Sequence, residues 1–80
     1  MVSDKIKALL KLTGKREVEL AEYYGMSAQG MHNKISRGSF SSDDLIKISD
    51  FVGAELAYTL PGGQKITFDT KDIRKSRSTI

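Results

Sequence analysis

EVELAEYYGMSAQGMHNKISRG, residues 17–38, decides the fold. Leu20, Ala21 and Tyr24 recur at helical spacing, as do Met31 and Ile35 after them, so two short helices each offer one apolar stripe. Between the stripes lies Gly25-Met26-Ser27. Glycine at the exit of a helix takes the left-handed conformation cheaply, and a serine one step before the next helix can accept a hydrogen bond from its unpaired amides. Ala21 is small enough for the two helices to approach closely. The spacing therefore predicts helices over 17–24 and 28–36, with the second closed by Arg37-Gly38.

This layout, a bracing helix, a tight turn and a second helix, is a helix-turn-helix. Its residues resemble the Cro and phage-repressor type, often called the XRE family. The resemblance rests on Leu20-Ala21, three residues, Gly25-Met26-Ser27, three residues, Met31, three more, and Ile35. It extends over residues 3–52 and implies a DNA-binding domain whose second helix lies in the major groove.

Outward from the motif, Ile6, Leu9 and Leu10 predict an amphipathic helix over 4–12, with Ser3 as its cap and Thr13-Gly14 as its end. The helix at 17–24 starts less well, because Arg16 stands where the resembled family has a capping threonine. Gly30, inside the helix at 28–36, weakens it by roughly 1 kcal/mol relative to alanine, which points to close packing or close approach of a ligand. Ser41, Asp44 and the Phe40–Leu45 pair mark the start of a helix over 42–52, with Leu45, Ile48, Phe51 and Val52 as its core stripe. After Gly53 the period changes to two. Leu56, Tyr58 and Leu60, then Ile66 and Phe68, flank Pro61-Gly62-Gly63 and predict a hairpin with strands over 55–60 and 64–69. The fold class read from this is mainly α: a four-helix Cro/repressor-like domain followed by a C-terminal β-hairpin. Residues 1–70 form one domain on this reading, and 71–80 a mobile basic tail.

Eighty residues suit one small domain, and 39% hydrophobic with 29% charged residues is ordinary for a soluble globular chain. No apolar run nears the roughly 18 residues a membrane helix needs, and Met1-Val2-Ser3-Asp4 does not open a signal peptide. The absence of cysteine fits a cytoplasmic setting and rules out thiolate metal sites, and a single histidine cannot build a zinc cluster. No cofactor is expected. Nor is catalysis, because no nucleophile–base pair or phosphate-cradling glycine loop is present. Thirteen Lys and Arg against ten Asp and Glu give a net charge of +3, and no acid falls between Tyr23 and Ser42. A carboxylate-poor stretch around the second motif helix is what approach to phosphate requires.

The resemblance implies site residues. Its base-facing positions fall on Ala28, Gln29, His32 and Asn33. Gln29 and Asn33, one turn apart, each carry an amide that can pair with adenine N6 and N7, and Ala28 can meet a thymine methyl. His32 can donate to guanine N7 or to a phosphate, or it is simply a solvated surface imidazole. Ser27, Lys34, Ser36, Arg37 and Ser39 are the expected sugar-phosphate contacts. The partner is then double-stranded DNA, bound by a homodimer; the apolar residues of the hairpin at 55–69 either pair the two copies or cover the end of the helical core. Glu17 opposes this reading. It occupies a place where many relatives carry glutamine, and its carboxylate suits the helix dipole but repels phosphate. With Glu19 and Glu22 it supports the alternative: an antitoxin-like or regulator-binding module that keeps the fold without strong DNA binding.

Overall fold

A computed structural model describes residues 1–73. In chain order it contains α1 (Val2–Leu12), α2 (Glu17–Tyr24), α3 (Ala28–Arg37), α4 (Ser42–Val52), β1 (Leu56–Thr59), β2 (Lys65–Phe68) and a 3-10 turn, Thr70–Asp72. Two compact units divide this chain, Met1–Ser41 and the remainder from Ser42.

The first unit packs α3 against both α1 and α2. Ile6 and Leu10 of α1, Leu20 and Ala21 of α2, and Met31 and Ile35 of α3 are buried. Each fully covered large side chain among them stabilises the fold by about 1.5–3 kcal/mol. Helix α1 begins at Val2, not at Asp4, and Ser3 is not its cap. Ser3 is buried inside the first turn, where its Oγ donates to the Ile35 carbonyl at 2.6 Å and ties α1 to the end of α3. A buried hydroxyl needs such a partner, and here that outweighs the local preference of serine for a cap. Helix α2 starts on Arg16, whose backbone amide donates to Glu19 Oε1 at 2.8 Å, half of a capping box. It ends on Gly25 at φ +73°, with the Met26 amide donating to the Ala21 carbonyl at 2.9 Å, as the sequence leads one to expect.

Helix α3 is capped by Ser27, whose Oγ accepts from the Gly30 amide at 3.0 Å. Close packing is what the structure shows at Gly30: a Cβ there would meet that same Oγ at 3.0 Å. At its other end Gly38 sits at φ +68°, and a Cβ would stand 3.1 Å from Ser3 Oγ. Gly38→Ala thus combines a left-handed penalty of about 1–2 kcal/mol with displacement of the hydroxyl that holds α1 to α3. It is expected to lower the urea midpoint at unchanged slope, whereas an unchanged midpoint would contradict the observed exit geometry.

In the second unit α4 carries Ile46, Ile48 and Ser49 as its buried residues. The expected stripe is therefore displaced: Ile46 is buried, and Leu45, Phe51 and Val52 are half-covered. A buried Ser49 is tolerated because its Oγ donates to the Leu45 carbonyl at 2.8 Å. The strands pair antiparallel, Leu56 opposite Phe68 and Tyr58 opposite Ile66, which puts these four on one face. The turn between them closes with the Gly63 amide donating to the Leu60 carbonyl at 2.9 Å. On the other face Lys65 Nζ donates to Glu55 at 2.7 Å and holds its carboxyl below the ordinary range. Past β2, Asp69 and Asp72 cap the 3-10 turn reciprocally: Asp69 Oδ1 accepts from the Lys71 amide, and Asp72 Oδ2 from the Asp69 amide, each at 2.9 Å. The tail expected over 71–80 therefore opens on this ordered turn, and its part from Arg74 onward lies outside the described residues.

Candidate nucleic-acid interface

Burial divides α3 sharply. Met31 and Ile35 face inward, fully covered. Ala28, Gln29, His32 and Asn33 are all exposed, as are Ser27, Ser36, Arg37 and Ser39, and Lys34 is half-covered. The helix stands on its apolar stripe and turns its polar groups to solvent, so the surface most useful for reading a duplex is the one packing leaves open.

Gln29 and Asn33 are bonded to each other: Gln29 Nε2 donates to Asn33 Oδ1 at 3.1 Å. An i, i+4 amide pair of this kind favours these rotamers by a few tenths of a kcal/mol. Gln29 still has Oε1 as acceptor and a second N–H as donor, the pair of groups that matches adenine N6 and N7.

Four of the expected contact residues converge. Asn33, Lys34, Arg37 and Ser39, with Met26 and Gly30, line an open recess of about 340 Å³ along α3. Lys34 reaches it from a fixed position, because its Nζ donates to the Ser39 carbonyl at 2.9 Å and lies 5.9 Å from the centre of the Phe40 ring. The lysine thus also closes the loop that follows α3. Ser27 combines its exposed position with its cap role, and Ser36 sits exposed near the end of the helix.

His32 and Glu17 meet across α3 and α2. His32 Nδ1 lies 3.3 Å from Glu17 Oε1. The stretch without acids in the sequence is consequently not free of acids in space, since α2 brings a carboxylate to α3. Glu17 also lines an open recess of about 330 Å³ with Lys7, Leu10, Lys11 and Lys15. An imidazole in contact and three lysines along the same recess are neighbours that the local sequence does not show. The regular spacing of Lys7, Lys11 and Lys15, four apart, is the signal that could have exposed this cluster. The Glu17–His32 contact had no such signal, because it joins residues on different helices.

Among the described residues no group of His, Cys, Asp and Glu could hold a metal ion, and no helix is long and apolar enough to cross a membrane. The chain's sequence matches the family model for the bacteriophage CI repressor helix-turn-helix domain over residues 4–67. Neither curated proteins nor solved structures provide a match.

Proposed function

The chain belongs to the bacteriophage CI repressor helix-turn-helix family, and from that premise we propose that it is a sequence-specific transcriptional regulator of the repressor type that reads the major groove with α3. One observation carries the reading: the Gln29–Asn33 amide pair stands on the exposed side of a helix whose other side is fully buried. Ala28, Gln29, His32 and Asn33 are assigned to base edges. Ser27, Lys34, Ser36, Arg37 and Ser39 are assigned to the sugar-phosphate backbone, where contacts set register but carry no sequence information. The alternative of a protein-interaction module rests on Glu17, Glu19 and Glu22; the family match does not favour it, and Glu17 has the His32 contact and a recess shared with three lysines. A regulator of this kind works where DNA is, which agrees with a cytoplasmic setting.

The test is retardation of operator-length duplexes at low salt, where specific binding at micromolar protein or below is expected. Within it, Arg37→Ala has a distinct signature. As a phosphate contact, Arg37 should weaken binding about equally on all sequences and reduce the slope of log K against log salt by about 1. An unchanged slope would remove Arg37 from the backbone set.

The hairpin supports a homodimer. Tyr58 and Ile66 stand opposite one another on its apolar face, 68% and 57% exposed. The inner end of that face is Leu56 and Phe68, which with Leu45 and Ile46 of α4 line an apolar groove of about 220 Å³. Two isolated strands are marginal in water, and contiguous exposed apolar surface marks interaction sites. Pairing two copies here would offer two reading helices to half-sites roughly 34 Å apart. Light scattering is expected to give twice the chain mass, and Ile66→Lys to give the monomer. A monomeric wild-type protein at high concentration would exclude this pairing.

A further inference from the structure

We propose that Glu17 is a positioning residue for base readout: it holds the His32 imidazole in its Nδ1–H form and so presents Nε2 to the duplex as a hydrogen-bond acceptor. The step follows from donor inventory. An ionised carboxylate can only accept, so a hydrogen bond across the 3.3 Å between Glu17 Oε1 and His32 Nδ1 places the proton on Nδ1. In the neutral ring the other nitrogen is then a lone-pair acceptor. His32 is 58% exposed at this contact, whereas Glu17 is the more covered partner at 36%. Glu17 lines the recess with the three lysines, and His32 is exposed on α3 together with Gln29 and Asn33.

The chemical consequence is selective. An acceptor at Nε2 does not suit guanine N7 or O6, nor a phosphate oxygen, since all of these are acceptors too. It suits an exocyclic amino group in the major groove, adenine N6 or cytosine N4. Glu17 therefore turns His32 from a generic donor into a reader of an amino group. Lys7, Lys11 and Lys15 line a recess with Glu17, and positive charge near that carboxylate lessens its repulsion of phosphate. The other cations near α3, Lys34 and Arg37, line a different recess with Asn33 and Ser39 and do not compete for Glu17 there.

The readout part of this inference rests on the DNA-binding proposal, but the tautomer part does not, and the two are measured separately. The chain has one histidine, so long-range proton–nitrogen NMR of the ring is unambiguous. In the free protein at alkaline pH, where imidazoles are neutral, the wild-type ring is expected to carry its proton on Nδ1. Glu17→Gln, whose amide oxygen also accepts, is expected to keep that form, and Glu17→Ala to lose it. A proton on Nε2 in the wild type, or identical spectra for wild type and Glu17→Ala, would overturn the proposal.

The second measurement uses duplexes selected from a random pool, with single amino groups deleted by purine in place of adenine or pyrimidin-2-one in place of cytosine. One position is expected where deletion weakens the wild-type protein by about tenfold, while leaving His32→Ala and Glu17→Ala unaffected. Equal losses in all three proteins overturn the readout role. Failure of every duplex to bind overturns the proposed function, and the readout role with it, whereas the tautomer result stands on the free protein.

Discussion

Ile35→Ala is expected to destabilise the protein by about 2–5 kcal/mol, the range for truncating an isoleucine in a packed interior. Ile35 is fully buried on the inner stripe of α3, together with Met31, and Leu20 of α2, the helix packed against α3, is fully buried too. Its carbonyl also receives the Ser3 hydroxyl, so relaxation around a cavity at this place would disturb the bond between α1 and α3. Native domains are held by only about 5–15 kcal/mol, and small chains lie toward the lower end. The loss is therefore a large share of the total. Thermal melting should show Tm lowered by at least about 8 °C, using roughly 4–8 °C per kcal/mol for a domain of this size. DNA binding should fall in step with the folded fraction and return on cooling or with added osmolyte. A variant with unchanged Tm would mean that α3 is not anchored through this side chain.

Replacing Gln29 and Asn33 together by alanine should give the opposite pattern: intact folding and lost discrimination. Both side chains are exposed, so little burial is removed. Alanine is also the better helix former, which offsets the lost amide–amide bond of a few tenths of a kcal/mol. Tm should stay within a few degrees of wild type. A good bidentate amide–base pair discriminates by about 1–3 kcal/mol, so affinity for a selected operator should fall by roughly 10- to 100-fold or more. Affinity for random duplex should barely change, because it comes from phosphate contacts these residues do not make. Single variants should be non-additive. Without Asn33, Gln29 loses the partner that favours its rotamer, so Asn33→Ala should weaken binding even if its own amide touches no base. Equal losses on specific and random duplex would show that these amides do not read sequence.

Most of the fold was legible because it rests on local rules. The stripes Leu20-Ala21 and Met31–Ile35, the exit at Gly25 and the cap at Ser27 are all short-range features, and each is found where the sequence puts it. The hairpin followed from period two across Pro61-Gly62-Gly63. What was not legible depends on partners distant in sequence. Ser3 resembles a cap because cap grammar sees only its neighbours, whereas its partner is Ile35 on another helix. The stripe of α4 was displaced for a related reason: Leu45 and Ile46 are adjacent and equally apolar, so period alone cannot say which turns inward. The 3-10 turn had a readable signature in Asp69-Thr70-Lys71-Asp72, obscured by its place just before a basic run.

The same division holds at the candidate site. Exposure of Gln29 and Asn33 followed from the positions of Met31 and Ile35, since a helix with one buried stripe must present the other side. Their mutual hydrogen bond was implicit in the i, i+4 spacing. The surroundings of Glu17 were not legible. In sequence it is a negative charge at a helix start. Its contact, His32, and the lysines at 7, 11 and 15 that line a recess with it come from other parts of the chain. A charge reads correctly only with its neighbours, and those are set by how α1, α2 and α3 pack.

Sequence-specific recognition by this chain is measured by selecting duplexes from a randomised pool at low salt and then comparing affinities for a selected and a scrambled sequence at physiological salt. A recovered consensus is expected, with at least about a thousandfold preference for it, the lower end for specific regulators. A pool that yields no consensus, or equal affinity for both duplexes, would contradict such recognition.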